Sequence, residues 1–196
     1  MRVSTAGKPG PGANTAVWLP EIRSPGAPRG AAAKVAQSNK EFSPRVSIVR
    51  AGSEVAFPNL DRIFHNVFSL SPTKSFDLGL YRNGASKSVA FDKPGLVHVF
   101  CNIHSHMIAY LLVVDSDIYG ITDQAGNITL ERVPAGMQTV SGWSAEGEEW
   151  SRSVVVKAAG TAELEVTLDA TGHRETPHKN KYGKDYPPPD DEQDRY

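Results

Sequence analysis

Hydrophobic and polar residues alternate along this chain in short runs, and almost nowhere recur at the three-to-four spacing of an amphipathic helix. The runs begin with VSIVR (Val46 to Arg50), EVAFP (Glu54 to Pro58), HNVFSL (His65 to Leu70) and FDLGLY (Phe76 to Tyr81). KSVAFD (Lys87 to Asp92), LVHVFC (Leu96 to Cys101) and IAYLLVV (Ile108 to Val114) follow. Arg82-Asn83-Gly84 and Lys93-Pro94-Gly95 have turn chemistry between them. Strands at this spacing predict a β-sandwich of two layers. Only AAAKVAQSNKEF (Ala31 to Phe42) fits a short helix, and its valine fits a strand equally well.

The rhythm changes between Asp115 and Asp117. IYGIT, NITLERV, MQTVSGW, RSVVVKA and AELEVTL follow, separated by DQAG, PAG and AAGT. These strands are too few and too short for a second full sandwich. ANTAVWLP (Ala13 to Pro20) supplies a further strand, cut off from what comes next by Pro25 to Gly30. The pattern predicts a discontinuous small β domain, residues 7–20 plus 117–169, with a sandwich of residues 31–115 inserted into it. The competing arrangement is an N-terminal arm that docks nowhere. Residues 170–196 mix charge with proline and contain no aliphatic core former, so they wrap a surface or stay flexible. His173 and His178 in that tail are weak ligand candidates.

Composition narrows the function. Formal net charge is -1 over 196 residues, without the basic block that nucleic-acid binding needs. No apolar run approaches the length that crosses a bilayer. One cysteine excludes an internal disulfide framework, so Cys101 is a core thiol, a ligand, a nucleophile or an intermolecular linker. The start, MRVSTAGKPGPG, lacks the basic and apolar regions of a secretory signal, which implies an internal protein or a mature or truncated form.

The chemistry concentrates in FCNIHSHMIAYLLVV, Phe100 to Val114. Strand parity puts Val97, Val99 and Cys101 on one face and His98 and Phe100 on the other, so His98 is a poor ligand candidate. His104 stands three residues after the strand-terminal cysteine and Met107 three further on. One loop can thus present a thiolate, an imidazole and a thioether. His65, inside the apolar run RIFHNVF, is the best donor from another strand. A core histidine with unpaired nitrogens costs on the order of 1–3 kcal/mol, so it needs a partner or a metal. Taken singly, Cys101 and Met107 read as core and His104 and His106 as surface. Together they point to a metal.

Two imidazoles and a thiolate with a weak axial thioether make the ligand set of a type 1 (blue) copper site. Zinc is the alternative: His65, Cys101, His104 and His106 would make a closed tetrahedral site with Met107 left in the core. A catalytic thiol is the weaker reading, because no second base or oxyanion feature accompanies Cys101.

Residues from about Val35 to Val114 resemble the cupredoxins, copper proteins of the plastocyanin and azurin type. CNIHSHM resembles the short Cys-x-x-His-x-x-Met loop of the amicyanin type, and FHNVF resembles the segment carrying the upstream histidine ligand. The resemblance implies a Greek-key sandwich holding one copper through His65, Cys101, His104 and Met107. It also implies that Asn66 ties the two ligand-bearing strands together and supports the cysteine sulfur. His106 departs from that loop pattern and is the possible alternative ligand. FPNLD-x-x-FHNVFS, FDLGLY-x-x-G, FDKPG and CNIH-x-x-M look closer to bacterial plastocyanin-like or methylamine-utilisation-like proteins. These join such a domain to a carboxypeptidase-regulatory-like or Cna-B-like β domain, whose pattern TDQAGNITLERVPAG and GKPGPGANTAVWL resemble.

What the resemblance implies is an all-β protein in the periplasm or outside the cell, not an enzyme. It would carry single electrons to and from a redox protein partner. A copper carrier or sensor without turnover, and an exported structural module with a zinc or empty site, are the alternatives.

Overall fold

Alternation in the sequence becomes alternation in burial. In the run Ser53 to Pro58, residues Ser53, Val55 and Phe57 are buried while Glu54 is exposed. The computed structural model describes residues 2–6, 12–23, 33–146, 149–169 and 178–186. Among them are sixteen strands, numbered in chain order. The first eight are β1 (Arg2–Ala6), β2 (Ala16–Trp18), β3 (Ala33–Lys34), β4 (Ala36–Ser38), β5 (Glu41–Ser43), β6 (Val46–Arg50), β7 (Ser53–Pro58) and β8 (His65–Ser71). Next come β9 (Lys74–Tyr81), β10 (Ser86–Phe91), β11 (Gly95–Phe100) and β12 (Ile108–Val114). β13 (Tyr119–Ile121), β14 (Gly136–Trp143), β15 (Trp150–Val156) and β16 (Glu165–Asp169) complete them. No helix among the described residues is long and apolar enough to cross a membrane.

The chain divides into two compact units. One draws on residues 29–113 and 176–196, the other on residues 1–28 and 114–175. In the first, a five-stranded sheet of order β6-β12-β11-β8-β9 and a three-stranded sheet of order β10-β7-β3 enclose one core. Val67, Val97, Val99, Leu111 and Val113 from the larger sheet meet Val55, Phe57, Val89 and Phe91 from the smaller. β11 and β12 are antiparallel and their last pair is Phe100 with Ile108, so residues 101–107 form the loop that closes them.

The stretch 31–42 is β-structure where it is described, so its helical reading is overturned. β4 and β5 form a hairpin turning at Asn39 and Lys40, both in the left-handed region at φ 55° and 57°. Val35, between β3 and β4, and Phe42, on β5, are both buried in the core.

In the second unit β2 pairs with β13 and β14, and β15 extends the sheet. β1, unforeseen from the sequence, runs parallel to β16. NITLERV, expected as a strand, is not one. The Asp123 carboxylate accepts the N–H groups of Ala125 and Asn127 and Gly126 takes φ 78°, which makes a turn. Ile128 and Leu130 beyond it pack on the core by contact, around Val17, Val140, Trp150, Val166 and Leu168.

Phe57 has no exposed surface and its ring lies 5.8 Å from that of Phe76. Phe57→Ala should lower the stability of the first unit by about 3–5 kcal/mol, the usual loss for a buried phenylalanine. Urea unfolding followed on that unit's transition measures it.

Candidate metal centre

β11 brings Cys101 to the site. Val97 and Val99 are fully buried on the core face, and Cys101 continues that face one residue past the strand, with no exposed surface. The loop then folds tightly. Cys101 donates its N–H to the Met107 carbonyl (3.3 Å), and Met107 donates to the His104 carbonyl (3.2 Å). That turn returns the His104 ring to the sulfur, with Nδ1 3.6 Å from Sγ.

His65 arrives from the other side, as the first residue of β8, opposite Tyr81 of β9. It is wholly buried, and its Nδ1 lies 3.8 Å from the Cys101 sulfur. Its Nε2 lies 2.8 Å from a carboxylate oxygen of Asp61. A carboxylate only accepts, so Nε2 carries the proton and Nδ1 keeps a free lone pair facing the sulfur. Asp61 is itself pinned, accepting the N–H groups of Asn39 (2.6 Å) and Lys40 (2.9 Å). The loop carrying it is shaped by buried Asn59, which donates to the carbonyls of Ile63 and Tyr81 and accepts the Asp61 N–H.

One donor atom each from His65, Cys101 and His104 lies within 4.8 Å of the others, and all three residues are buried. Two ligands at about 2.0 and 2.3 Å from one ion, at tetrahedral to trigonal angles, sit about 3.5–3.7 Å apart. The two sulfur–nitrogen separations, 3.6 and 3.8 Å, come close to that spacing, which suits donors to one metal ion.

Burial pushes the Cys101 thiol up, opposed by the main-chain N–H groups of Asn66, Ile103 and His104 directed at the sulfur. Burial pushes the His65 imidazole down, against the pull of Asp61, which favours the neutral ring that a metal requires. Burial alone would raise the Asp61 carboxyl. The Lys40 N–H, His65 and the Asn39 N–H outweigh it and hold the group below the usual range.

The remaining sequence candidates fall into place around this trio. Met107 is fully buried in the same core cluster as Cys101. His106 is exposed, its ring 6.1 Å from that of His104, and it is outside the trio. His98 lies on the other sheet face, stacked with Phe100 at 6.1 Å and edge-on to Tyr110 at 5.4 Å. His178 stacks on Phe100, and His173 lies outside the described residues. Asn66 supports the sulfur through its main-chain N–H, while its side chain donates 2.7 Å to Asp77 of β9. Asp61 and Asp77 carried no site signal of their own in the sequence. The one available hint was Asp61 standing four residues before His65 within LDRIFHN.

No family model matches the chain, and no curated protein does. Among solved structures, the chain is similar to a novel purple cupredoxin from Nitrosopumilus maritimus, at 19% identity and TM-score 0.38, covering 41% of this chain and 98% of that one. It is similar to an amicyanin mutant in the reduced state, at 20% identity and TM-score 0.39, covering 42% and 82%. A copper-containing nitrite reductase (NirK) from Thermus scotoductus SA-01 is similar at 20% identity and TM-score 0.41, covering 57% of this chain and 28% of that one.

Removing the carboxylate that fixes the His65 tautomer should weaken the site without touching a donor atom. Asp61→Ala is expected to lower Cu(II) affinity by about 10–100-fold, the usual cost of losing such a partner. Competition titration against a chelator reads it, and an unchanged affinity refutes the role given to Asp61.

Proposed function

We propose that the unit of residues 29–113 and 176–196 is a cupredoxin-like type 1 copper domain that carries single electrons between protein partners. Supporting this most directly is the meeting of one buried cysteine sulfur with two buried imidazoles, one from β8 and one from the loop after β11. Copper bound there supplies one-electron chemistry between Cu(I) and Cu(II). His65, Cys101 and His104 would hold it, and the Met107 thioether, from the same loop, would offer a further soft donor. That donor set favours copper over zinc, whose closed structural sites take four strong donors.

The chain's own residues perform the rest. Asp61 holds the proton of His65 on Nε2, away from the metal. Three N–H groups stabilise the charge on the Cys101 sulfur. All three donors are buried, which would keep water from an ion held between them. No substrate has to bind, and the domain is proposed as a carrier, not an enzyme. Leu60 and Phe64, on the loop before His65, leave apolar surface exposed, which suits the small, short-lived encounters of electron-transfer proteins.

The unit of residues 1–28 and 114–175 is proposed as a spacer or docking module. Its reading as a carboxypeptidase-regulatory-like or Cna-B-like domain rests on TDQAGNITLERVPAG, and a location in the periplasm or outside the cell rests on the cupredoxin resemblance.

The copper-loaded, oxidised protein should be intensely blue through sulfur-to-copper charge transfer. Cys101→Ala should abolish the band, while His98→Ala and His106→Ala should leave it nearly intact. A colourless copper complex of the unaltered chain sinks the proposal. Loss of the band in His106→Ala but not in His104→Ala overturns the ligand assignment. Copper transfer to an apo acceptor, without reversible reduction by a protein partner, would make it a copper carrier instead.

A further inference from the structure

A segment far along the chain reaches the outside of the metal loop. Residues 178–186 form a turn with its own bonds: the Asn180 side chain accepts the N–H groups of Tyr182 and Lys184, and Asn180 donates to the Lys184 carbonyl. Gly183 takes φ 73°, a conformation that favours glycine there. The turn grips the domain at four points. The Tyr186 hydroxyl donates to the Cys101 carbonyl at 2.7 Å. The Lys181 N–H donates to the Asn102 side-chain oxygen at 3.0 Å. The Lys181 ammonium sits 2.6 Å from Asp77, the acceptor of the Asn66 side chain. The His178 ring stacks on Phe100 with centroids 4.0 Å apart.

The order of protons in this clamp follows from valence. Tyr186 has one hydroxyl proton, and the Cys101 carbonyl takes it. Nδ1 of His178, 3.3 Å from that hydroxyl oxygen and 3.2 Å from the Lys179 carbonyl, faces two acceptors and is therefore the donor. The His178 ring thus braces Tyr186 while lying against the residue that precedes Cys101.

These contacts fall on both halves of the donor set. Tyr186, Lys181 and His178 touch Phe100, Cys101 and Asn102, the entry to the loop that carries Cys101 and His104. Through Asp77 and Asn66, Lys181 also reaches β8, the strand that carries His65, at the very residue whose N–H points to the sulfur. We propose that residues 178–186 are a clamp that fixes the Cys101 loop against the His65 strand, with Tyr186 and Lys181 as positioning residues for the metal donors. This rests on the copper reading for its consequence, though the clamp itself is a property of the chain without metal.

The test uses the full chain and two variants, Tyr186→Phe and Lys181→Met, each of which keeps the bulk of its side chain. In the metal-free protein, amide hydrogen exchange of Ile103, His104 and Met107 should quicken roughly fivefold to tenfold, the factor one hydrogen bond supplies. Amides of β7 and β10 should exchange as before. In the copper-loaded protein, release to a chelator should quicken by about tenfold, at the low end of what partners of metal ligands cost. Uniformly faster exchange throughout the sandwich would show a general loss of stability and overturn the clamp. Unchanged exchange in the loop would overturn it too. A native chain that takes up no copper would defeat the functional reading alone, since the exchange measurement decides the clamp without metal.

Discussion

A sulfur with no exposed surface is hard to ionise, and the first unit is built around that difficulty. Transfer of a thiolate out of water is unfavourable unless N–H dipoles and a cation compensate it. Three main-chain N–H groups converge on Cys101. Two come from its own loop, which must turn at once after the strand to present Ile103 and His104. The third comes from Asn66, so β8 must lie beside β11 at this level. The two strands share a single register pair, Phe100 with Phe68. Between Asn66 and Phe68 the β8–β9 ladder slips register. The extra residue stands on β9, between Asp77 and Leu80, where Gly79 takes φ 66°.

The histidine is controlled from farther away. Its ring orientation is set by Asp61, Asp61 by the Asn39–Lys40 turn, and the intervening loop by Asn59. Two residues of the β4–β5 turn adopt left-handed backbone so that consecutive N–H groups reach one carboxylate. A hairpin contributing no donor atom thereby decides which nitrogen of His65 can bind. The second unit uses its buried polar groups differently. Thr15 donates its N–H to the Thr122 hydroxyl, and Thr122 donates its N–H to the Thr15 carbonyl, which stitches the end of β2 to the chain after β13. Those bonds are saturated locally and point to no ligand.

The sequence carried its information unevenly, for physical reasons. The strands of the larger sheet were legible because one face of each is core, and burial forces period two on Val97, Val99 and Cys101. His65 and the Cys101–His104 spacing were legible because an imidazole drawn into an apolar run must find a partner for its nitrogens. NITLERV misled because it alternates like a strand, yet an Asx-type turn at Asp123 breaks the ladder ahead of it. β1 was missed because RVSTA is short and its partner, β16, lies far along the chain. Asp61 and Asp77 were invisible as site residues because acidic side chains beside turns are ordinarily solvated. Tyr186 and Lys181 sit in a proline-rich, charged tail whose composition argues for looseness, and composition says nothing about what one phenol can reach.

Electron exchange without rearrangement asks that the donors stand ready before the metal arrives. In this chain His65 is oriented by a carboxylate, Cys101 by three N–H groups, and His104 by the same turn that brings Met107 back to the base of the loop. None of these constraints passes through an ion. Order established during folding is order that a bound ion would not have to impose. The link at the base of the loop, beside the Phe100–Ile108 pair, is a main-chain bond of 3.3 Å from Cys101 to Met107. It is at that link, on the Cys101 carbonyl and the Asn102 side chain, that the turn at residues 178–186 makes two of its hydrogen bonds.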